Sequence, residues 1–203
     1  MGILKGALSA RRYAVRGEVP EAFRATFPEA LNQNAFHEPF SKVSKEEVFG
    51  WVQHRNLLDT DFSNLDDWLY NQYALFSLRA DKKALPAKLF KATVDKELRE
   101  WCVEHGRERP PRNVKEEVKE RIEHEWLQRA LPRVAVVELV WNIPEGWVLF
   151  HSHSESANDR FRKLFHRTFG LELHPLNPLD LLGDPELAKA LERTGGSDLR
   201  GET

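Results

Sequence analysis

The tract HGRERPPRN, residues 105–113, dictates more about this chain's architecture than any other stretch. Gly106 suits a left-handed helix end and Pro110-Pro111 supply no backbone donors, so no helix continues through it. Both flanks nevertheless carry apolar residues at helical spacing. After Pro86 these are Phe90, Val94, Leu98 and Trp101; after Asn113, the expected N-cap, they are Val114, Val118, Ile122 and Trp126, up to Leu131-Pro132. Two helices that must turn back at one tract form an αα-hairpin, expected over residues 86–131. Before it lies the apolar run YALFSLRA, residues 73–80, and after it VAVVELVW, residues 134–141; both read as strands, and Arg79 is expected to emerge at the end of the first.

The remaining elements follow the same logic. Residues 7–16 alternate, with Arg12, Ala14 and Arg16 on one face and Tyr13 and Val15 on the other. Residues 20–31 predict a short helix with Phe23 and Phe27 four apart, and EVFGWVQ, residues 47–53, predicts a strand. The loop NIPEG joins residues 134–141 to WVLFH, residues 147–151, as an antiparallel hairpin. Ser156 with Asp159 is placed to cap a helix whose stripe is Phe161, Leu164, Phe165 and Phe169, ended by Gly170; a last strand covers residues 171–174. The predicted fold is therefore α+β: a mainly antiparallel sheet packed by helices, with a projecting αα-hairpin. One domain is expected over residues 1–185, followed by a partly disordered tail over 186–203.

A single cysteine, Cys102, allows no intramolecular disulfide, and no run approaches the length of a membrane span or a signal peptide. These point to a cytoplasmic protein. The net charge of -2 attracts no polyanion by itself, but the charges are unevenly spread. Residues 18–72 hold ten acids against four bases, whereas residues 73–135 hold fifteen Lys or Arg against eleven Asp or Glu. Around the hairpin tip stand Arg107, Arg109, Arg112 and Lys115, with Glu108 among them.

Catalytic patterns are incomplete. His151 and His153 share a strand face and could both reach one ion, as in the HxH of JAMM-type metalloproteases, but Lys163 and Leu164 stand where that motif has its metal-binding Asp. In DTDFSNLDD, Asn64 replaces the glycine of an EF-hand loop and Tyr70 its final glutamate. No GxSxG, GxxxxGK[ST] or GxGxxG occurs. Cys102 is expected as a buried, unreactive thiol, and Trp51, Trp101, Trp126, Trp141 and Trp147 sit at core-facing spacings.

The block YALFSLRADKKALPAKLFKATVDKEL, the hairpin through VKEEVKERIEHEWLQRALPR, and the pair VVELVWN and GWVLFHSHS followed by LFHRTFGLELHPLNP resemble the recombination-associated protein RdgC family. GALSARRYAV, FGWV and the Leu57-Leu58-Asp59 loop fit the same order, and the resemblance runs from roughly Leu4 to Pro185. It implies a non-catalytic, nucleoid-associated DNA-binding protein that prefers duplex without strong sequence preference, pairs as a homodimer in a ring, and restrains the RecA recombinase by occupying DNA. The family also carries an exonuclease label. Full-length members use an additional C-terminal region to close the ring, so pairing through the hairpin alone, or a different assembly, is expected where this sequence stops.

Carried onto this chain, the resemblance implies DNA contacts from Arg79, Lys82 and Lys83, from the tip residues Arg107, Arg109, Arg112 and Lys115, and from Arg133; Arg12 joins them from the first strand. No cofactor or catalytic residue is expected. The alternatives are a metal-dependent hydrolase or nuclease using His151 and His153, and a protein-interaction module in which the hairpin docks onto a partner helix.

Overall fold

The computed structural model describes residues 2–4, 6, 8–38, 43–182 and 184–193. Its elements run β1 (Arg11–Arg16), α1 (Phe23–Gln33), β2 (Val48–Gln53), a 3₁₀ turn (Leu65–Asp67), β3 (Leu69–Tyr70), β4 (Tyr73–Lys82), α2 (Ala87–Glu104), α3 (Arg112–Arg129), β5 (Arg133–Asn142), β6 (Trp147–Phe150), α4 (Glu155–Phe169), β7 (Glu172–Pro175), a second 3₁₀ turn (Pro178–Leu181) and α5 (Pro185–Arg193). The strands form one sheet in the order β2-β4-β5-β6-β1-β7, with β3 pairing onto β4. Every strand pairing is antiparallel, which makes this the expected α+β fold.

The ladder between β4 and β5 is the spine of the sheet, in register from Tyr73 opposite Asn142 to Lys82 opposite Arg133. Alternation assigns its faces. Ala74, Phe76, Leu78 and Ala80 join Leu139 and Trp141 in the main core, beneath the helices. Against them α4 lays Phe161, Leu164 and Phe165, all fully buried, at the spacing that puts three residues on one helical stripe. Phe161 stacks on Phe150 with centroids 4.2 Å apart, and the Trp51 indole N–H donates to Thr168 Oγ1 at 2.8 Å, tying β2 to the end of α4. Gly170 ends the helix at φ 69°, a left-handed position that glycine adopts without steric cost. Gly50 has a different reason. A Cβ there would lie 2.5 Å from the Phe36 backbone, and that close approach lets Phe36 N–H donate to Trp51 O.

The hairpin helices pair antiparallel. Phe90 packs edge-on against Trp126 near one end, and Arg121 bonds Glu97 nearer the other. Val118, Ile122 and Leu127 of α3 are buried, whereas α2 buries no residue fully.

Several boundaries differ from expectation. β1 begins at Arg11, and residue 7 lies outside the described residues. Asn113 does not cap α3: the helix already includes Arg112 and starts after Pro111, whose fixed φ suits that position. Likewise α4 starts at Glu155 with Ser154 as its cap residue, two residues earlier than Ser156 suggests, because the buried Asn158 donates to both Ser152 O and Ser154 O. Cys102 is only half-buried, as are Trp101, Trp126 and Trp147, while Trp68, which no pattern marked, is fully buried. Residues 186–193 of the expected tail belong to α5, and 194–203 lie outside the described residues. Among the described residues no helix is long and apolar enough to cross a membrane.

Candidate nucleic-acid interface

The hairpin grows out of the end of the spine. β4 finishes at Lys82, the chain enters α2, and it returns from α3 into β5 at Arg133. The register therefore sets Lys82 directly opposite Arg133, both exposed, two cations where a sheet ordinarily places unlike charges or apolar groups. The neighbouring acid does not compensate them, since Asp81 points to the other face. Lys83 lies beside the pair and donates from Nζ to Leu127 O at 2.7 Å, pinning the base of the hairpin to the last turn of α3. Lys88 and Lys91 stand in the first turns of α2, and Arg129 closes α3; all three are exposed. Neither residues 82–94 nor residues 126–137 contain an Asp or Glu. Among the described residues no carboxylate pairs with Lys82, Lys88, Lys91, Arg129 or Arg133.

The tip has a different character. Arg107, Arg109, Arg112 and Lys115 are exposed there, but Glu104, Glu108, Glu116 and Glu117 are interleaved with them, and Arg112 Nε donates to Glu116 Oε1 at 2.9 Å. An 18-residue helix spans roughly 27 Å, so tip and base are separate clusters.

Two expected residues lie apart from both. Arg79 does not emerge at the strand end. It is 8% exposed, its Nε and Nη2 donate to the two oxygens of Asp81 at 2.9 and 2.7 Å, its Nη1 donates to Leu57 O, and its guanidinium lies 4.1 Å from the Phe36 ring centroid. The bond to Asp81 raises its pKa, and its charge is spent inside the protein. Alternation explains the difference: Arg79 and Asp81 share the face opposite the core, where Phe36 and the Leu57 loop cover them. Arg12 is exposed over the Trp147 ring at 5.4 Å. Its register with Leu149, itself paired with Val140, puts it on that same face, seven residues along β5 from Arg133 and so roughly 23 Å distant.

The other candidates have local roles. His153 is exposed and His151 half-buried, and among the described residues no three His, Cys, Asp or Glu side chains gather as a metal site. In the 59–67 loop, Asp59 accepts from Asp61 N–H and Asp61 from Ser63, whose hydroxyl and amide hold that carboxyl below its usual range. Asn64 caps the first 3₁₀ turn. A hollow on the open sheet face contains His54, Tyr70, Tyr73, Leu75 and Glu138; burial, then Arg55, lowers the His54 pKa, and the Glu138 carboxylate accepts the Ile3 amide at 2.5 Å.

The sequence resemblance marks Lys82, Lys83 and Arg133 but not Lys88, Lys91 and Arg129. The available signal was the acid-free composition of the two chain segments that meet at the hairpin base.

No curated protein matches this chain. A family model described as "Putative exonuclease, RdgC" matches residues 11–188, a span that contains all seven strands and both hairpin helices. The segment order noted in the sequence and the family match agree: the chain belongs to the recombination-associated RdgC family.

Proposed function

We propose that this protein binds duplex DNA without sequence preference and without catalysis, through the cation cluster at the base of its hairpin. The observation that carries this reading is the Lys82–Arg133 register pair in acid-free surroundings. Like charges set directly opposite in a sheet are destabilising, a cost that a polyanion relieves. A duplex supplies one phosphate charge about every 1.7 Å of its axis, and every contact releases condensed counterions. Such contacts carry no base information, so sequence tolerance follows. A chain of net charge -2 achieves this only where its bases converge, and the Lys82–Arg133 register supports such a convergence at the hairpin base.

Family membership extends the reading to occupancy of DNA by a nucleoid-associated homodimer in the cytoplasm, with restraint of the RecA recombinase as its consequence. The test is a titration of random duplex at several salt concentrations. Binding that weakens steeply with salt supports the proposal; undetectable or salt-insensitive binding overturns it. The family's exonuclease description favours a second reading, metal-dependent hydrolysis using His151 and His153. Metal-dependent shortening of end-labelled duplex that a His151→Ala variant loses would establish that reading in place of the first.

A further inference from the structure

At the hairpin base several apolar side chains face water, Leu89 and Val134 among them, and one does so far more than the rest. Leu131 is 88% exposed, and no large apolar side chain among the described residues is more so. It sits in the segment Arg129-Ala130-Leu131-Pro132-Arg133, between the end of α3 and the start of β5. Ala130 leaves the helix at ψ 129°, and Pro132 disfavours helical backbone at Leu131, so the side chain is not free to fold back onto α3. The chain holds the leucine outward.

Its neighbours indicate what it meets. Arg129 and Arg133 flank it two residues away on either side, and Lys82 lies across the ladder from Arg133. A second copy of this chain docking on the same patch would set cation against cation, and a neutral apolar pocket would leave these cations unmatched. A duplex satisfies both demands. Phosphates of the two strands take the flanking guanidinium groups, and the step between stacked bases takes the apolar tip, as with the leucine, isoleucine and proline wedges of minor-groove proteins.

We propose that Leu131 is a wedge that enters a base step of bound duplex from the minor groove and unstacks it, while Arg129 and Arg133 hold the phosphates on either side. This rests on the duplex-binding reading above but makes a separable claim, since phosphate contacts alone leave the stack intact.

The experiment uses the full chain and random duplexes carrying 2-aminopurine, whose fluorescence rises when it is unstacked. Binding is followed in parallel by anisotropy of an end label, and oligomeric state by native mass. The expected result is a fluorescence rise on binding wild type, and its loss in Leu131→Ala with anisotropy binding retained. The exposed position leaves thermal unfolding of that variant unchanged, and Leu131→Phe restores the rise. Wild type that binds without a fluorescence rise, or Leu131→Ala that keeps it, overturns the wedge while leaving duplex binding in place. A variant that loses binding because its oligomer dissociates assigns Leu131 to a contact between copies and also overturns it. Wild type that fails to bind removes both readings.

Discussion

The two ends of the α2–α3 hairpin carry similar numbers of cations, but the tip is balanced by acids and the base is not. At the tip, Arg107, Arg109, Arg112 and Lys115 alternate with glutamates, and Arg112 is paired with Glu116 along its own helix. At the base, Lys82, Lys88, Lys91, Arg129 and Arg133 come from the four elements β4, α2, α3 and β5, with no acid in residues 82–94 or 126–137. Local density of basic residues along a chain and convergence of basic residues in space are different quantities. Only the second focuses a field that a phosphate rail can feel through salt.

Apart from both ends lies a cation of another kind, the buried Arg79, and unpairing it produces the largest expected effect. Asp81→Ala leaves Arg79 buried without its carboxylate, which should cost about 3–5 kcal/mol of unfolding free energy, read by urea denaturation. A loss below about 1 kcal/mol would mean that Arg79 turns outward and belongs with the exposed cations after all.

Next in size is the effect on binding. Lys82→Glu with Arg133→Glu should flatten the slope of log affinity against log salt by about 1.8, and lower affinity about a hundredfold near 0.1 M salt, if each residue meets one phosphate. Filter binding over a salt series measures both quantities. Smaller, and of opposite sign, is the stability of the single variant Arg133→Glu. It faces Lys82 with an unlike charge, so it should gain about 0.2–1 kcal/mol by thermal unfolding even as its DNA affinity falls. Stability and binding moving together would break the argument that the like-charge pair is kept for a ligand. The smallest effect belongs to the tip: Arg112→Ala removes one exposed i,i+4 ion pair and should shift stability by about 0.3–0.5 kcal/mol.

The hairpin, the strands around it and the aromatic stripe of α4 were legible in the sequence because each rests on a long periodic signal or on a tract that no helix can cross. β3, only two residues long, and α5, within what reads as a tail, offer no such signal. Half of the candidate site was legible and half was not. Lys82 and Arg133 are 51 positions apart, and their opposition exists only once the β4–β5 register is known. Arg79 misled for a simpler reason. Asp81, two residues on, necessarily shares its strand face, and the spacing Arg79-Ala80-Asp81 already offered an internal partner for the charge.

The central claim is that the hairpin base, and not its tip, grips the duplex. The most direct measurement compares two charge-reversal variants on one random duplex across one salt series: Lys82→Glu/Arg133→Glu at the base and Arg107→Glu/Arg109→Glu at the tip. The expected result is a slope flattened by about 1.8 for the base variant and a nearly wild-type slope for the tip variant. A tip variant that loses as much slope as the base variant, or more, would contradict it.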